Sequence, residues 1–169
     1  MIGTVLKLVT SRLFLRDFRS ADTEALVSYH LDPRYLEHYS DMPDTEGIVR
    51  TAIAWANENP RLNYQLAIQL PGIEEPIGTV GLRITEPSSG RANFGCELNP
   101  NYWATGYAEE ASRALLNYGV STLGIRRVEA WTAARNMRAH RLAERLGFRK
   151  TTHSKQDQLM FARDYEEEG

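Results

Sequence analysis

The sequence predicts an α/β (α+β) fold: a mixed, mostly antiparallel sheet of about seven strands with helices on both faces, in a single domain spanning residues 1–169. Three observations predict it. Between Asn63 and Leu98 the apolar residues recur with period two, and the runs are separated by Pro71-Gly72 and Pro87-Ser88-Ser89-Gly90, the pattern of an antiparallel meander. The segments on either side of that stretch have helical periodicity instead. A further strand at residues 127–132 follows a helix, and such a crossover favours parallel pairing with its predecessor.

Taken in order, Arg12-Leu13-Phe14-Leu15-Arg16 alternates charged and apolar side chains, as a strand with one wet face does, and Ser20 reads as the cap of a helix beginning near Ala21. Ala25, Leu26 and Tyr29 have helical spacing, and Asp32-Pro33 is expected to end that helix, since the residue before proline avoids the helical region. A loop then runs to about Pro43. Asp44 caps a second helix whose apolar stripe is Ile48, Ala52, Trp55 and Ala56, closed by Asn59-Pro60. Residues 65–70 and 77–85 form a hairpin, and residues 92–98 are the third strand of the meander. Ala108, Ala111, Leu115 and Tyr118 stripe a helix that runs to Val120 and breaks at Gly124. After the strand at 127–132, Ala139, Leu142, Ala143 and Leu146 mark a last helix stopped by Gly147. From Phe148 the chain is extended, residues 158–163 are the final strand, and Tyr165 to Gly169 is an acidic tail expected to fray.

The chain is 42% hydrophobic and 25% charged, a composition that sets aside disordered and collagenous classes. A net charge of -2 argues against a nucleic-acid partner. Cys96 is the only cysteine, which excludes an internal disulfide and a multi-cysteine zinc site. The histidines at 30, 38, 140 and 153 lack metal-ligand spacing, so no metal is expected. No apolar run approaches membrane-spanning length, and residues 1–9 do not read as a signal peptide, so the expectation is a cytoplasmic protein with no membrane partner.

The segment from Asn99 to Ala111 carries the sharpest chemical signal. A loop of small residues leads from a strand into a helix and turns backbone N–H groups toward one point, where the helix dipole adds about 0.3–1 kcal/mol for an anion. Gly106 permits close backbone approach, so a pyrophosphate fits; by spacing alone, the same glycine equally suits a plain turn. Neither G-x-x-x-x-G-K-[ST] nor a G-x-G-x-x-G after a strand occurs, which sets aside the common nucleotide loops.

Read from Tyr102 to Ala111, the string Tyr-Trp-x-x-Gly-Tyr-Ala-x-Glu-Ala resembles the acyl-CoA pyrophosphate loop of the GNAT N-acetyltransferases, in particular their RimJ/RimL-like branch. A second block agrees with it. Asn136, Leu142, Glu144, Arg145, Leu146, Gly147 and Phe148 resemble the branch's Asn-x-x-Ser-x-x-x-x-Glu-Lys-Leu-Gly-Phe signature. The opening strand with Arg12, Leu13 and Arg16, and the Asp32-Pro33 pair, also resemble this branch, so the likeness extends from Ser11 to Ala162.

The resemblance implies the GNAT fold, with a splayed parallel strand pair that holds CoA. It also implies an acyltransferase that passes an acetyl group from acetyl-CoA to a primary amine, on a protein N-terminus or a small molecule, by direct attack in a ternary complex. It places the pyrophosphate on Trp103, Ala104, Thr105, Gly106, Tyr107 and Ala108. The pantetheine arm lies along backbone groups of Cys96, Glu97 and Leu98, with Asn136 and Ala139 at the start of the last helix.

Glu97 is the first candidate for the base that deprotonates the amine, with His38 and a water chain in reserve. Strand alternation with Phe94, Cys96 and Leu98 puts Glu97 on the opposite face of the sheet, toward solvent unless a bulge rotates it. A proton donor for the leaving thiolate is missing, because Ala139 stands where the branch has serine and Ala143 where many GNAT enzymes have tyrosine. The substitutes are Tyr107, expected to pack, and His140, expected to point outward. Cys96 reads as a small buried hydrophobe, and Arg138 and Arg141 as a solvated helix face within reach of CoA phosphates. The two alanines keep a second function open, a noncatalytic acyl-CoA-binding module, and a domain whose loop binds nothing is the third. A homodimer is compatible with this reading without being specified by it.

Overall fold

The structure, a computed structural model, describes residues 5–38 and 42–166. Strands β1 (Lys7–Val9), β2 (Phe14–Asp17), β3 (Asn63–Gln69), β4 (Gly78–Glu86), β5 (Arg91–Leu98), β6 (Arg127–Ala133), β7 (Arg149–Lys155) and β8 (Gln158–Asp164) form one sheet. Their order is β1-β2-β3-β4-β5-β6-β8-β7, and β5 with β6 is the parallel pair. The helices are α1 (Thr23–His30), α2 (Pro33–Leu36), α3 (Thr45–Ala56), α4 (Tyr107–Leu123) and α5 (Met137–Arg145). The meander and the crossover therefore form where the periodicity places them.

Period-two alternation decides which helix covers which face. On β3, Leu66 and Ile68 point to one side and join Leu15, Val80 and Leu82 against Leu115 of α4. Ala67 points to the other side and joins Leu26, Tyr29, Val49 and Ala52 of α1 and α3. Gly119 lets α4 lie close on the sheet, since a Cβ there would come within 2.6 Å of Leu82 Cδ2. Among the described residues no helix is long and apolar enough to cross a membrane.

Several local expectations are corrected. Eight strands form rather than about seven, because residues 7–9 add a short edge strand paired to β2. Ser20 does not cap α1; it opens a 3-10 turn at Ser20–Asp22, where the Asp22 carboxylate accepts the Arg19 N–H and a forked pair of bonds from Arg16. The first helix does end before Asp32-Pro33, with Asp32 extended at ψ 127°, but the pair also starts α2 where a loop was expected, since Asp32 accepts the Arg34 N–H and Pro33 sits at N1, where its missing N–H is not needed. On α3 the buried stripe is Thr45, Val49 and Ala52, while Ile48, at 38% exposure, and Trp55 face a cavity. That helix carries two apolar stripes, and the sequence pattern merged them. Tyr165 is docked rather than frayed, its N–H donating to Arg126 O at 2.7 Å and its ring lying under Arg163; residues 167–169 lie outside the described residues.

Candidate active site

The loop before α4 is shaped by backbone in the left-handed region. Ala104 has φ 61° and Gly106 φ 83°, and Gly106 is the N-cap residue of α4. The Thr105 hydroxyl ties the turn by donating to Tyr102 O at 2.6 Å and accepting the Tyr107 N–H at 3.3 Å. Arg12 braces the loop from β2's approach: it donates to Thr105 O at 3.1 Å, pairs with Glu110 at 2.8 Å and lies 4.5 Å over the Tyr107 ring. Burial alone would raise the Glu110 carboxyl, yet hydrogen bonds from Thr10 and Arg12 outweigh it and hold the group below its ordinary range. The N–H groups of a helix's first turn have no intrahelical partner, and here Ala104, Thr105, Gly106 and Ala108 line a cavity of 570 Å³. Arg135, Arg138, Arg141 and Arg145 line it too, with the Arg138 guanidinium 4.0 Å from the Trp103 ring centroid. Burial, then the neighbouring Arg141, lowers Arg138 from its ordinary value. This is a cationic cradle at a helix N-terminus rather than a purely solvated face.

Beside it the sheet opens. Pairing of β5 with β6 stops at Asn93↔Glu129, although β5 continues to Leu98 and β6 to Ala133. The Leu98 carbonyl accepts the Trp103 indole N–H at 3.0 Å, and the Glu97 carbonyl lies against Gly78 of β4, where a Cβ would collide. Since alternate residues of a strand address opposite neighbours, the N–H of Cys96 faces the gap with β6. The Asn136 side-chain oxygen caps α5 by accepting the Ala139 N–H at 3.2 Å, leaving its NH₂ for a ligand. His38, Cys96, Glu97, Asn136, Ala139 and Leu142 also line a second cavity of 790 Å³, so the two cavities meet around these side chains.

His140 corrects an expectation. It is 8% exposed, and its Nε2–H donates to Ala133 O at 3.0 Å, because the ring turns under α5 against Phe161. It lines neither cavity. Tyr107 packs as expected, between Arg12 and Tyr102. Burial pushes the Cys96 thiol up to about 12, only partly offset by the adjacent Ser112 hydroxyl. At pH 8 it is expected to react with iodoacetamide about two to three orders of magnitude more slowly than free cysteine, whose pKa is ~8.5; an unhindered rate in the free protein contradicts this placement.

Glu97 does face away from Cys96, yet its side chain is only 17% exposed. Its Oε1 accepts from Tyr29 OH at 3.0 Å and from His30 Nε2 at 2.9 Å, and its Oε2 accepts from Tyr35 OH at 2.6 Å. The other His30 nitrogen is 2.7 Å from Thr45 Oγ1, and the His30 ring stacks on Tyr35 at 4.8 Å. Sequence reasoning missed Tyr29, His30, Tyr35 and Thr45 as parts of the site. They come from α1, α2 and α3, and no motif spacing joins them. With four lone-pair sites on a carboxylate, three of them met by these bonds, one site on Oε2 is left, and Glu97 lines both cavities. His38 lines both cavities, and its buried Nδ1 has no hydrogen-bond partner among the described residues.

Comparison with known proteins follows this geometry. Residues 12–149 match the family model described as acetyltransferase (GNAT) domain. The chain is 31% identical over 147 residues to the uncharacterized N-acetyltransferase p20 of Bacillus licheniformis, covering 85% of this chain and 82% of that protein. Its fold is similar to RimL, a ribosomal L7/L12 alpha-N-protein acetyltransferase, at a TM-score of 0.75 and 19% identity over 96% of each chain. It is similar as well to the microcin C7 self-immunity acetyltransferase MccE in complex with acetyl-CoA and AMP, at a TM-score of 0.75 and 16% identity, over 92% of this chain and 94% of that one.

Proposed function

The chain belongs to the GNAT acetyltransferase family and is an acyltransferase, and from that premise we propose that it transfers an acetyl group from acetyl-CoA to a primary amine, on a small molecule or a protein N-terminus, by direct attack in a ternary complex. One observation carries this reading: the phosphate-sized cradle at Gly106, the unpaired edge of β5 and the Glu97 carboxylate border two cavities that meet.

The residues fit CoA. An αL turn of small residues at a helix start suits a pyrophosphate, Arg135, Arg138 and Arg141, which have no ion-pair partner among the described residues, match its charge while Arg145 pairs with Glu109, and the stretch of β5 beyond Asn93 suits an amide-bearing arm. Acetyl-CoA, when bound, supplies an acyl thioester. The chain supplies the rest. The N–H groups of residues 104–106 and 108 with Arg138 and Arg141 hold the phosphates, and the Asn136 NH₂ and the backbone N–H groups of Cys96 and Leu98 orient the arm, with Ala139 leaving room for it; the Glu97 backbone, expected to share that role, addresses β4 instead. The Cys96 N–H, aimed into the gap, is the donor for developing negative charge on oxygen. Glu97 takes the amine proton on Oε2 while Tyr29, His30 and Tyr35 hold it in place. Ala139 and Ala143 cannot donate a proton, and His38, which lines both cavities and whose Nδ1 has no hydrogen-bond partner among the described residues, takes that role. The α-amino acceptor of RimL and the acetyl-CoA held by MccE are chemistry this fold carries in those proteins, and the residues above bring it here.

Release of CoA thiol from acetyl-CoA, measured against short peptides, polyamines and aminoglycosides, tests the reading. Turnover with an amine is expected. Saturable CoA binding without release across the panel favours a noncatalytic acyl-CoA-binding module, the reading that Ala139 and Ala143 keep open, and no CoA binding by calorimetry contradicts both.

A further inference from the structure

The larger cavity extends well beyond Glu97, across the sheet face under α3. On this face Glu97 and Gly95 of β5 stand beside Thr79 and Gly81 of β4, and Arg83 lies farther along β4. Gln65 of β3 covers Gly81, its amide donating to the Thr79 hydroxyl, so the open floor is Gly95, where a Cβ would meet no atom within 4 Å. Thr51 and Trp55 of α3 form the opposite wall. The far end is cationic. Arg83 lies 4.7 Å from the Trp55 ring centroid, and neither it nor Arg50, which also lines the cavity, has an ion-pair partner among the described residues. The carboxylates lining the same cavity are both engaged: Asp44 caps α3 through Gly47, and Glu97 is held by three donors.

We propose that this groove selects amines bearing a carboxylate about three residue-lengths from the nitrogen, with the amine at Glu97 and the carboxylate on Arg83 and Arg50; the proposal rests on the acetyltransferase reading above. The length follows from the sheet. Thr79, opposite Glu97, and Arg83 are four residues apart on β4, about 13 Å, and an arginine side chain shortens that gap to the roughly 10 Å a tripeptide spans. Trp55 stacks on the guanidinium and fixes its plane, which favours forked recognition of a carboxylate.

The test compares trialanine with trialaninamide, and a long ω-amino acid with its amide, in two readouts: kcat/KM for acetyl transfer, and binding to the CoA-loaded protein followed by tryptophan fluorescence. The free carboxylate is expected to be preferred about two- to fivefold in both, the range for an ion pair at exposed arginines such as Arg83 and Arg50. Arg83→Gln combined with Arg50→Gln should bring the ratio close to one. Gly95→Val, whose side chain enters open space, should fold normally and raise KM for trialanine without changing CoA affinity. An amidated peptide carrying glutamate at its third position tells whether a side-chain carboxylate substitutes for the terminal one; preference for it over its glutamine counterpart extends the site to peptide N-termini. Equal binding of acid and amide, no binding of either, or a preference that survives the double variant overturns the proposal. Carboxylate-dependent binding without acetyl transfer upholds the groove while contradicting the catalytic reading.

Discussion

Glu97→Gln is expected to lower kcat by about 10²- to 10⁴-fold at neutral pH and to leave CoA affinity unchanged, the range that removal of a general base produces. The substitution keeps the shape of the side chain. Tyr29 and Tyr35 are hydroxyls that both donate and accept, so they can turn to stay paired with an amide, and His30 can exchange its ring proton with Thr45. What glutamine cannot do is receive the amine proton that the carboxylate takes up in this mechanism. Steady-state kinetics with the best acceptor, together with calorimetry of CoA, separate the two effects. Turnover equal to that of the unaltered protein at every pH tested removes Glu97 from the mechanism.

Gly106→Val is expected to weaken CoA binding by about 10- to 100-fold, the loss of one or two hydrogen bonds to a charged group. Gly106 holds φ at 83°, where a β-branched residue is strained, and a Cβ would stand 3.2 Å from Arg12 Nη2, the group that braces the loop. Relieving that strain turns the N–H groups of residues 104–106 and 108 away from their common point. Gly124→Val is the control. It imposes similar strain at φ 70° on the other end of α4, where a Cβ meets nothing within 4 Å. Both variants should lose about 1–2 kcal/mol of stability, and only the first should lose affinity. Equal CoA affinity in the Gly106 variant contradicts the cradle.

The contrast between these residues shows which parts of the site a sequence encodes locally. Gly106 and Asn136 stand out because their work is done by nearby backbone: a left-handed turn at a helix start, and a cap at the next one. Loop, helix and parallel crossover are legible from spacing and periodicity for the same reason, whereas the splay of β5 from β6 is given by the resemblance alone. The surroundings of Glu97 are not. Tyr29, His30 and Tyr35 lie more than sixty residues from it and look like ordinary aromatic positions on short helices. Alternation along β5 did put Glu97 on the face away from Cys96, but what covers that face depends on how α1, α2 and α3 pack, and no pattern within one strand records it. His140 failed in the opposite sense, since its polar ring suggested solvent while the Ala133 carbonyl satisfies it under the helix. On α3, Ile48 and Trp55 read as one apolar stripe with Ala52 because a cavity wall and a core wall share the same apolar chemistry.

Residue-resolved amide hydrogen exchange, with and without acetyl-CoA, tests most directly whether the gap between β5 and β6 receives the pantetheine arm. The Cys96 N–H faces that gap, whereas Glu97 addresses β4 and is already paired in the sheet. Saturating acetyl-CoA should slow exchange at Cys96 and at residues 104–106 and 108 by at least about tenfold and leave Glu97 unchanged. If the Cys96 amide exchanges equally fast with and without acetyl-CoA, the arm does not lie along β5, and the mechanism built on that edge is wrong.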